Sequence, residues 1–178
     1  MSERSHRLRG DRERGAALVE FAIVLPVLGA LLIGMLSGGI TFNRKLSLTN
    51  GAREGARYGA TLPFTNFANT NAWLDNVAAV AVGAVDNTLP ANASGRVVCV
   101  AYVYNPGGSV GDFTLRRMDS GGTVGYAASE KCFNDGRPDN EQRVQVVLER
   151  ASEINALIYK QTITVTGRSV ARYEALAG

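Results

Sequence analysis

The chain of 178 residues is 46% hydrophobic, which allows one folded domain with an attached segment and excludes a chain that is disordered throughout. Its formal net charge of +3 is unevenly distributed, because nine of the 19 Lys and Arg residues lie within residues 1–57. Residues 58–178 hold ten cations and eleven anions. This later part has no excess of positive charge for a nucleic-acid-binding face, so we expect no nucleic-acid partner.

Side chains suited to catalysis or metal binding are scarce. The only histidine is His6, which excludes most Ser-His and Cys-His catalytic pairs and most histidine zinc sites from the rest of the chain. Asp135, Asp139 and Glu141 occur in a polar stretch typical of solvated loops, and nothing marks a catalytic carboxylate pair among them. We therefore expect no catalytic residue, no metal, no cofactor and no enzymatic activity.

A long apolar segment follows a short basic one. Residues 1–15 are polar and rich in arginine, and they read as a leader. The stretch Phe21–Ile40 has no charged residue in 20 positions, and a helix of that length rises about 30 Å, the thickness of a bilayer core. Membrane helices tolerate a proline such as Pro26. We predict a transmembrane helix over residues 16–42.

Two other interpretations of the apolar segment fit the sequence less well. A core helix in a chain of this size rarely stays apolar on all sides for so long. A cleaved secretory signal has a shorter apolar run, of about 7–15 residues, and ends in a small-residue cleavage site followed by polar sequence. The nearest candidate for such a site is Gly34–Gly39, and no polar sequence follows it directly. Both interpretations are therefore less favoured than a membrane span.

Glu20 stands at the start of the apolar run, where a carboxylate is costly to insert into a membrane. Cleavage between Gly15 and Ala16 would create an α-ammonium group four residues before Glu20. Positions i and i+4 share one face of a helix, so this ammonium could offset the carboxylate. The ammonium of a neighbouring subunit could do the same.

Two segments resemble a known family. The sequence GAALVEFAIVLPVL runs from Gly15 to Leu28, and LTNGAREGAR runs from Leu48 to Arg57. A charged leader ending in Gly, with Glu at the fifth mature position, resembles the type IV prepilin cleavage site, and both segments resemble TadE-like proteins of the Tad (Flp) pilus system. The resemblance implies a minor pilin or pseudopilin that is processed between Gly15 and Ala16 by a prepilin peptidase. Its other implied partners are Tad/Flp pilins and pilus-assembly proteins.

The resemblance also implies a location. Cations flank the apolar segment on both sides, so the positive-inside rule only slightly favours a cytoplasmic N-terminus. A leader that must meet a prepilin peptidase lies at the cytoplasmic face. We therefore expect a single-pass protein of the bacterial cytoplasmic membrane, in contact with lipid, with residues 1–15 inside and residues 61–178 outside. Whether it enters the filament stays open.

Small residues form a repeating row after the membrane segment. Residues 43–60 are expected to form a helical stalk, in which Gly51, Gly55 and Gly59 recur at intervals of four. Each glycine costs a helix about 1 kcal/mol relative to alanine, but a row of them allows another backbone to approach closely. Either a partner subunit or the sheet of this same chain could occupy that row.

Residues 61–178 are expected to form an α+β domain with a second helix and a small antiparallel sheet of three or four strands. Thr70 or Asn71 would cap the second helix, and Trp73 lies on its apolar side. A turn of helix is expected over Ser152–Tyr159. The segments with strand character are Arg96–Tyr104, which is apolar on both faces and suits a central position, Asp112–Arg116, Val124–Ala127, Arg143–Arg150 and Gln161–Tyr173.

Cys99 and Cys132 are the only cysteines. Two cysteines in an exported domain usually pair, so we predict a disulfide, although two separate thiols would also fit the sequence. The leading functional hypothesis is a pilus-assembly component. The alternative is a membrane-anchored ligand-binding or adhesive module outside the cell.

Overall fold

The computed structural model describes residues 4–105, 114–118, 124–128, 130–156 and 159–174. The chain divides into two compact units, one of Met1–Ile40 with Ile154–Gln161 and the other of Thr41–Glu153 with Thr162–Gly178. The elements in chain order are α1 (Arg4–Thr61), α2 (Thr70–Gly83), β1 (Val97–Val103), β2 (Thr114–Met118), β3 (Val124–Ala128), β4 (Arg143–Ala156) and β5 (Tyr159–Arg172). Short 3-10 turns cover Phe64–Asn66 and Asp86–Thr88.

The first unit is dominated by the N-terminal part of α1. This helix continues through Pro26, and the apolar side chains that follow Gly15 are mostly exposed. By length and composition α1 can cross a membrane, and its apolar window has no buried part within the described residues. The long apolar N-terminal helix predicted from the sequence is therefore present.

The second unit contains an antiparallel sheet in the order β3-β2-β1-β4-β5. Strand β1 lies in the middle, with Cys99 opposite Arg117 of β2 on one side and opposite Val147 of β4 on the other. The α+β class and the central position of this strand agree with the sequence prediction. The sheet has five strands where we expected three or four, because β2 and β3 extend it beyond β1.

The predicted turn of helix over Ser152–Tyr159 is wrong. The described part of this segment belongs to the end of β4 and the start of β5, which are neighbours in the sheet. Pairing between the two long strands provides hydrogen bonds for the backbone N–H and C=O groups, which a helical turn would otherwise provide locally. The pairing therefore outweighs the local preference of this segment for a helical turn.

The main core lies between the two helices and one face of the sheet. Fully buried Val, Leu and Trp side chains each contribute about 1.5–3 kcal/mol relative to an exposed position. The buried members are Leu48, Ala52 and Ala56 of α1, Trp73, Leu74, Val77, Ala78 and Ala81 of α2, Val85 and Leu89 after it, Val98 and Val100 of β1, Val144, Val146 and Leu148 of β4, and Val165 of β5. The segment 43–60 is helical, and one side of it packs against this core through Leu48, Ala52 and Ala56, whereas Arg53 and Arg57 on its other side are exposed.

The N-cap of helix α2 is Asn69, and not Thr70 or Asn71 as predicted. The side chain of Asn69 accepts a hydrogen bond of 2.9 Å from the backbone amide of Ala72, which caps the helix. Trp73 is fully buried, in agreement with its place on the apolar side of the helix.

Candidate assembly helix and the domain attached to it

The residues expected at the cleavage junction lie within a regular part of α1. Gly15, Ala16 and Glu20 are all helical and exposed. A Cβ atom added to Gly15 would meet no atom within 4 Å. None of the described side chains forms an ion pair or hydrogen bond with the Glu20 carboxylate.

The uncharged part of α1, Phe21–Ile40, exposes apolar side chains on all sides. Large side chains including Ile23, Leu32 and Met35 are each more than 60% exposed. Leu36 in the same run and Leu18 just before Glu20 are similarly exposed. Such a surface is stable in lipid or against other apolar helices and is unfavourable in water.

The three glycines of the small-residue row face the interior of the domain. A Cβ atom on Gly55 would lie 2.5 Å from Cβ of Ala81 in α2. On Gly59 it would lie 3.0 Å from Val77 of the same helix, and on Gly51 it would overlap Val85 just beyond it. The row is occupied from within this chain, mainly by α2 and Val85, with Leu148 and Val144 of the sheet next to it.

The other face of the sheet is covered by residues 130–142, which we call the strap. A disulfide joins Cys132 of the strap to Cys99 of β1, with the two Cα atoms 5.8 Å apart. The amide side chain of Gln145 bonds the strap backbone, accepting from Cys132 N at 3.1 Å and donating to Phe133 O at 3.0 Å. The guanidinium of Arg168 lies 5.5 Å from the centre of the Phe133 ring.

A buried ion pair holds the middle of the strap. Arg143 of β4 is fully buried, and its Nε and Nη2 atoms donate to the Asp135 carboxylate at 2.7 Å and 3.1 Å. The same guanidinium donates to the carbonyl oxygen of Pro138 at 2.6 Å and to Asp139 Oδ1 at 3.1 Å. The expectation that these acidic residues are all solvated is wrong for Asp135, whose side chain is only 5% exposed.

Two carboxylates of the strap, those of Asp135 and Asp139, are held in the charged form. Burial by itself would raise the pKa of Asp135, but hydrogen bonds from Gln145, from the Arg137 amide and from Arg143 outweigh it, and the pKa lies below its ordinary value. The pKa of Asp139 is also lowered, mainly by its hydrogen bond from Lys131 at 2.6 Å. The role of these groups is structural, because they join the strap to the sheet.

Aromatic side chains enclose the point where α1 ends. The indole nitrogen of Trp73 and the hydroxyl of Tyr173 both donate to the carbonyl oxygen of Leu62, at 3.0 Å and 3.2 Å. The Phe64 ring contacts both rings: it is tilted by 43° to Trp73 at a centroid distance of 4.6 Å and stacked on Tyr173 at 5.2 Å. Burial raises the pKa of Tyr173 above its ordinary value. Trp73 therefore acts as a core residue and not as an exposed binding platform.

A comparison with models of known protein families gave a match within the N-terminal third of the chain. Residues 15–57 match the family model of the TadE-like protein. The match begins at Gly15 and includes Glu20, Gly51 and Gly55, so it confirms the resemblance inferred from the two sequence segments. Neither the comparison with curated proteins nor that with solved structures gave a match.

The TadE-like segment, residues 15–57, contains most of the site residues expected from the sequence. Gly15, Ala16 and Glu20 lie at its exposed start, whereas Gly51 and Gly55 lie near its end, inside the domain. The disulfide and the strap lie beyond the segment, as does the Arg143–Asp135 pair. In the described part of the chain no three His, Cys, Asp or Glu side chains form a group that could hold a metal ion.

The strap contacts are the feature that sequence reasoning missed. The pattern of Arg143–Arg150 predicts only a strand, although a charged residue inside an apolar strand is a signal that a buried partner exists. The alternation of this strand places Arg143 and Gln145 on the face opposite to the helices, which is the face that the strap covers.

Proposed function

We propose that this chain is a membrane-anchored, pilin-like protein that acts in the assembly of a Tad (Flp) pilus, as a structural subunit or minor pseudopilin without enzymatic activity. The observation that carries the proposal is the TadE-like match over residues 15–57, which begins at Gly15 and falls on a helix with an exposed apolar surface. This membrane-compatible helix supplies both the anchor and the packing surface that a pilin-like subunit needs.

The proposed sequence of events starts with the leader. Residues 1–15 lie in the cytoplasm until a prepilin peptidase cuts between Gly15 and Ala16. Residues 16–42 cross the cytoplasmic membrane once, and residues 61–178 lie outside, preceded by the helical segment 43–60. The exposed position of Gly15 on α1 supports access of the peptidase to this junction.

Assembly then depends on contacts between membrane helices. Helices in lipid associate through van der Waals packing and polar pairs, since lipid tails are as apolar as leucine. In this setting Glu20 meets the new α-ammonium of Ala16, either its own or that of a neighbouring subunit. A low effective dielectric makes such a pair stronger than a surface ion pair. The partners are other Tad/Flp pilins and pilus-assembly proteins, together with membrane lipid.

The experiment compares three strains of the source bacterium: one without the gene, one complemented with the full chain, and one complemented with a chain in which residues 16–42 are replaced by an unrelated apolar helix. We expect pili only with the full chain. The substituted chain still anchors the domain, so it separates assembly from mere anchoring. Restoration of pili by the substituted chain would favour an anchored module. Normal piliation without the gene would refute the proposal.

A further inference from the structure

Two arginines from different elements, Arg44 and Arg150, lie near Ser152 on the helix-facing side of the sheet. Nη1 of Arg44 in α1 donates to the hydroxyl of Ser152 in β4 at 2.8 Å. Arg150 is two residues before Ser152 and lies on the same side of the strand, because side chains alternate between the faces. The Arg150 guanidinium donates to the carbonyl oxygen of Thr88, and Thr88 also bonds Ser47 of α1 at 3.1 Å.

This pair of cations has no described counter-ion. None of the described carboxylates forms an ion pair with Arg44 or Arg150, and both side chains are half-buried. The pKa of Arg150 is lowered by burial and then by the positive charge of Arg44. Like charges held together in a partly buried setting are unfavourable unless an anion offsets them.

Several donors of the pair remain available. A guanidinium has five N–H donors in a planar fork. Among the described hydrogen bonds Arg44 uses one donor, to Ser152, and Arg150 uses two, to Ala151 and Thr88. Forked donors of this type match the oxygens of a phosphate, which accepts two parallel hydrogen bonds from one guanidinium.

The position of Arg44 along α1 indicates that the phosphate belongs to a lipid headgroup. Arg44 is four positions beyond Ile40, the last residue of the uncharged run, and a helix rises by about 6 Å over four positions. The headgroup layer on each side of a bilayer core is about 5–8 Å thick. Phe42 and Leu46 are exposed on either side of Arg44, as expected for a helix leaving a membrane.

We propose that Arg44 and Arg150 form a binding site for the phosphate group of an anionic phospholipid, at the membrane surface where α1 leaves the bilayer, with the Ser152 hydroxyl orienting the Arg44 guanidinium. The site rests on the membrane span of the proposed function, but it does not depend on a role in pili. It would fix the domain against the membrane surface by a specific contact in addition to the helix.

The test uses the purified full chain in a neutral detergent and counts bound lipids by native mass spectrometry. The probes are phosphatidylglycerol, phosphatidylcholine and inorganic phosphate. We expect one phosphatidylglycerol to be retained in preference to phosphatidylcholine, and inorganic phosphate at millimolar concentration not to displace it. Displacement by inorganic phosphate would identify a free-anion site and overturn the lipid assignment.

Substitutions then locate the site. Arg44→Gln and Arg150→Gln should each weaken phosphatidylglycerol binding roughly tenfold, the usual effect of losing a hydrogen bond to a charged group. Arg44→Lys keeps the charge without the fork and should bind with intermediate strength. The control is Arg53→Gln with Arg57→Gln, which removes two exposed cations of the same helix farther from the apolar run.

Thermal unfolding shows whether each variant is folded. If Arg150→Gln does not fold, phosphatidylglycerol retention by Arg44→Gln alone tests the site. Equal lipid retention in Arg44→Gln and in the native chain would refute the site. An equal loss in the Arg53/Arg57 control would also refute it, because binding would then follow net charge alone. Loss of pili in the absence of any lipid effect would leave the proposed function standing and this inference refuted.

Discussion

Gly167 of β5 lies directly against the main chain of Leu48 in α1, and no side chain would fit between them. A Cβ atom at position 167 would overlap the carbonyl group of Leu48 and would lie 2.5 Å from the amide nitrogen of Thr49. The strand and the helix thus meet backbone to backbone at this point. Close contact of this kind is possible only where the side chain is a hydrogen atom.

Replacement of Gly167 by alanine should therefore destabilise the domain. The added methyl group must displace backbone atoms, and overpacking of this kind costs about 1–3 kcal/mol. The matched control is Gly125→Ala in β3, where an added Cβ would meet no atom within 4 Å. Thermal unfolding of the purified chains measures the effect. Equal melting temperatures for the two variants would show that the contact at Gly167 is not tightly packed.

Features that depend on local pattern can be predicted from the sequence. The uncharged run Phe21–Ile40 predicts the apolar helix, and the two apolar faces of Arg96–Tyr104 predict the central strand. Features that depend on tertiary contacts cannot be predicted in this way. The end of β4 is not predicted, because local sequence preference does not show that it pairs with β5. The burial of Asp135 is not predicted, because it depends on the position of the strap against Arg143 of the sheet.

The small-residue row is a second feature that the local sequence pattern predicts only in part. Spacing alone predicts close packing at Gly51, Gly55 and Gly59, but it does not identify what packs there. The answer depends on where α2 lies, and α2 is placed by its own apolar side against the sheet. Packing within the chain and packing with a partner therefore give identical sequence patterns.

Stability should fall at acidic pH in a way that depends on Asp135. Its pKa is lower in the folded than in the unfolded chain, where the ordinary value is 3.8. The carboxylate therefore contributes stability above pH 3.8, and this contribution is lost as the pH falls further, through the folded pKa. The melting temperature of the native chain should decline more steeply below about pH 4 than that of Asp135→Asn, which lacks the titrating group. Parallel curves would contradict the prediction.

The Cys99–Cys132 disulfide should form in the exported protein. The bond closes a large loop between β1 and the strap, and its loss should cost about 3–4 kcal/mol by the chain-entropy relation. Intact mass after alkylation, with and without prior reduction, measures it directly. Two alkylated thiols in the denatured, unreduced protein would rule the bond out. Chains with Cys99→Ala and Cys132→Ala together should fold, because Arg143 and Gln145 still join the strap to the sheet.

The mature chain should begin at Ala16 in cells with an active prepilin peptidase. The basis is the Arg-rich leader, the exposed Gly15 and the glutamate at the fifth position of the product. N-terminal peptide mapping of membrane-extracted protein identifies the start. Gly15→Leu should block removal of the leader, whereas Gly10→Leu, a matched change within the leader, should not. A start at Met1 or Ser2 would contradict processing, and a start near Gly39 would indicate an ordinary secretory signal.

Replacement of Glu20 by glutamine should separate membrane insertion from assembly. The 20 uncharged residues Phe21–Ile40 drive insertion without help from Glu20, and removal of a costly carboxylate should leave insertion unchanged or improve it. The leader should still be removed, because the junction lies at Gly15–Ala16 and not at the glutamate. What glutamine cannot provide is the negative charge that pairs with an α-ammonium.

Pilus production should therefore fail in cells whose only copy carries Glu20→Gln, although the processed chain is present in the membrane. An unpaired ammonium in a low-dielectric setting is itself costly, so the loss should exceed that of a surface ion pair, which is worth about 0–1 kcal/mol. The matched control is Glu54→Gln, because Glu54 is an exposed carboxylate of the same helix beyond the apolar run. Pili counted by electron microscopy, with processing followed in parallel, should be normal in the control and absent in the Glu20 variant. Normal piliation in both would mean that the Glu20 carboxylate has no part in assembly, since charge is the property that the substitution removes while the shape of the side chain is kept.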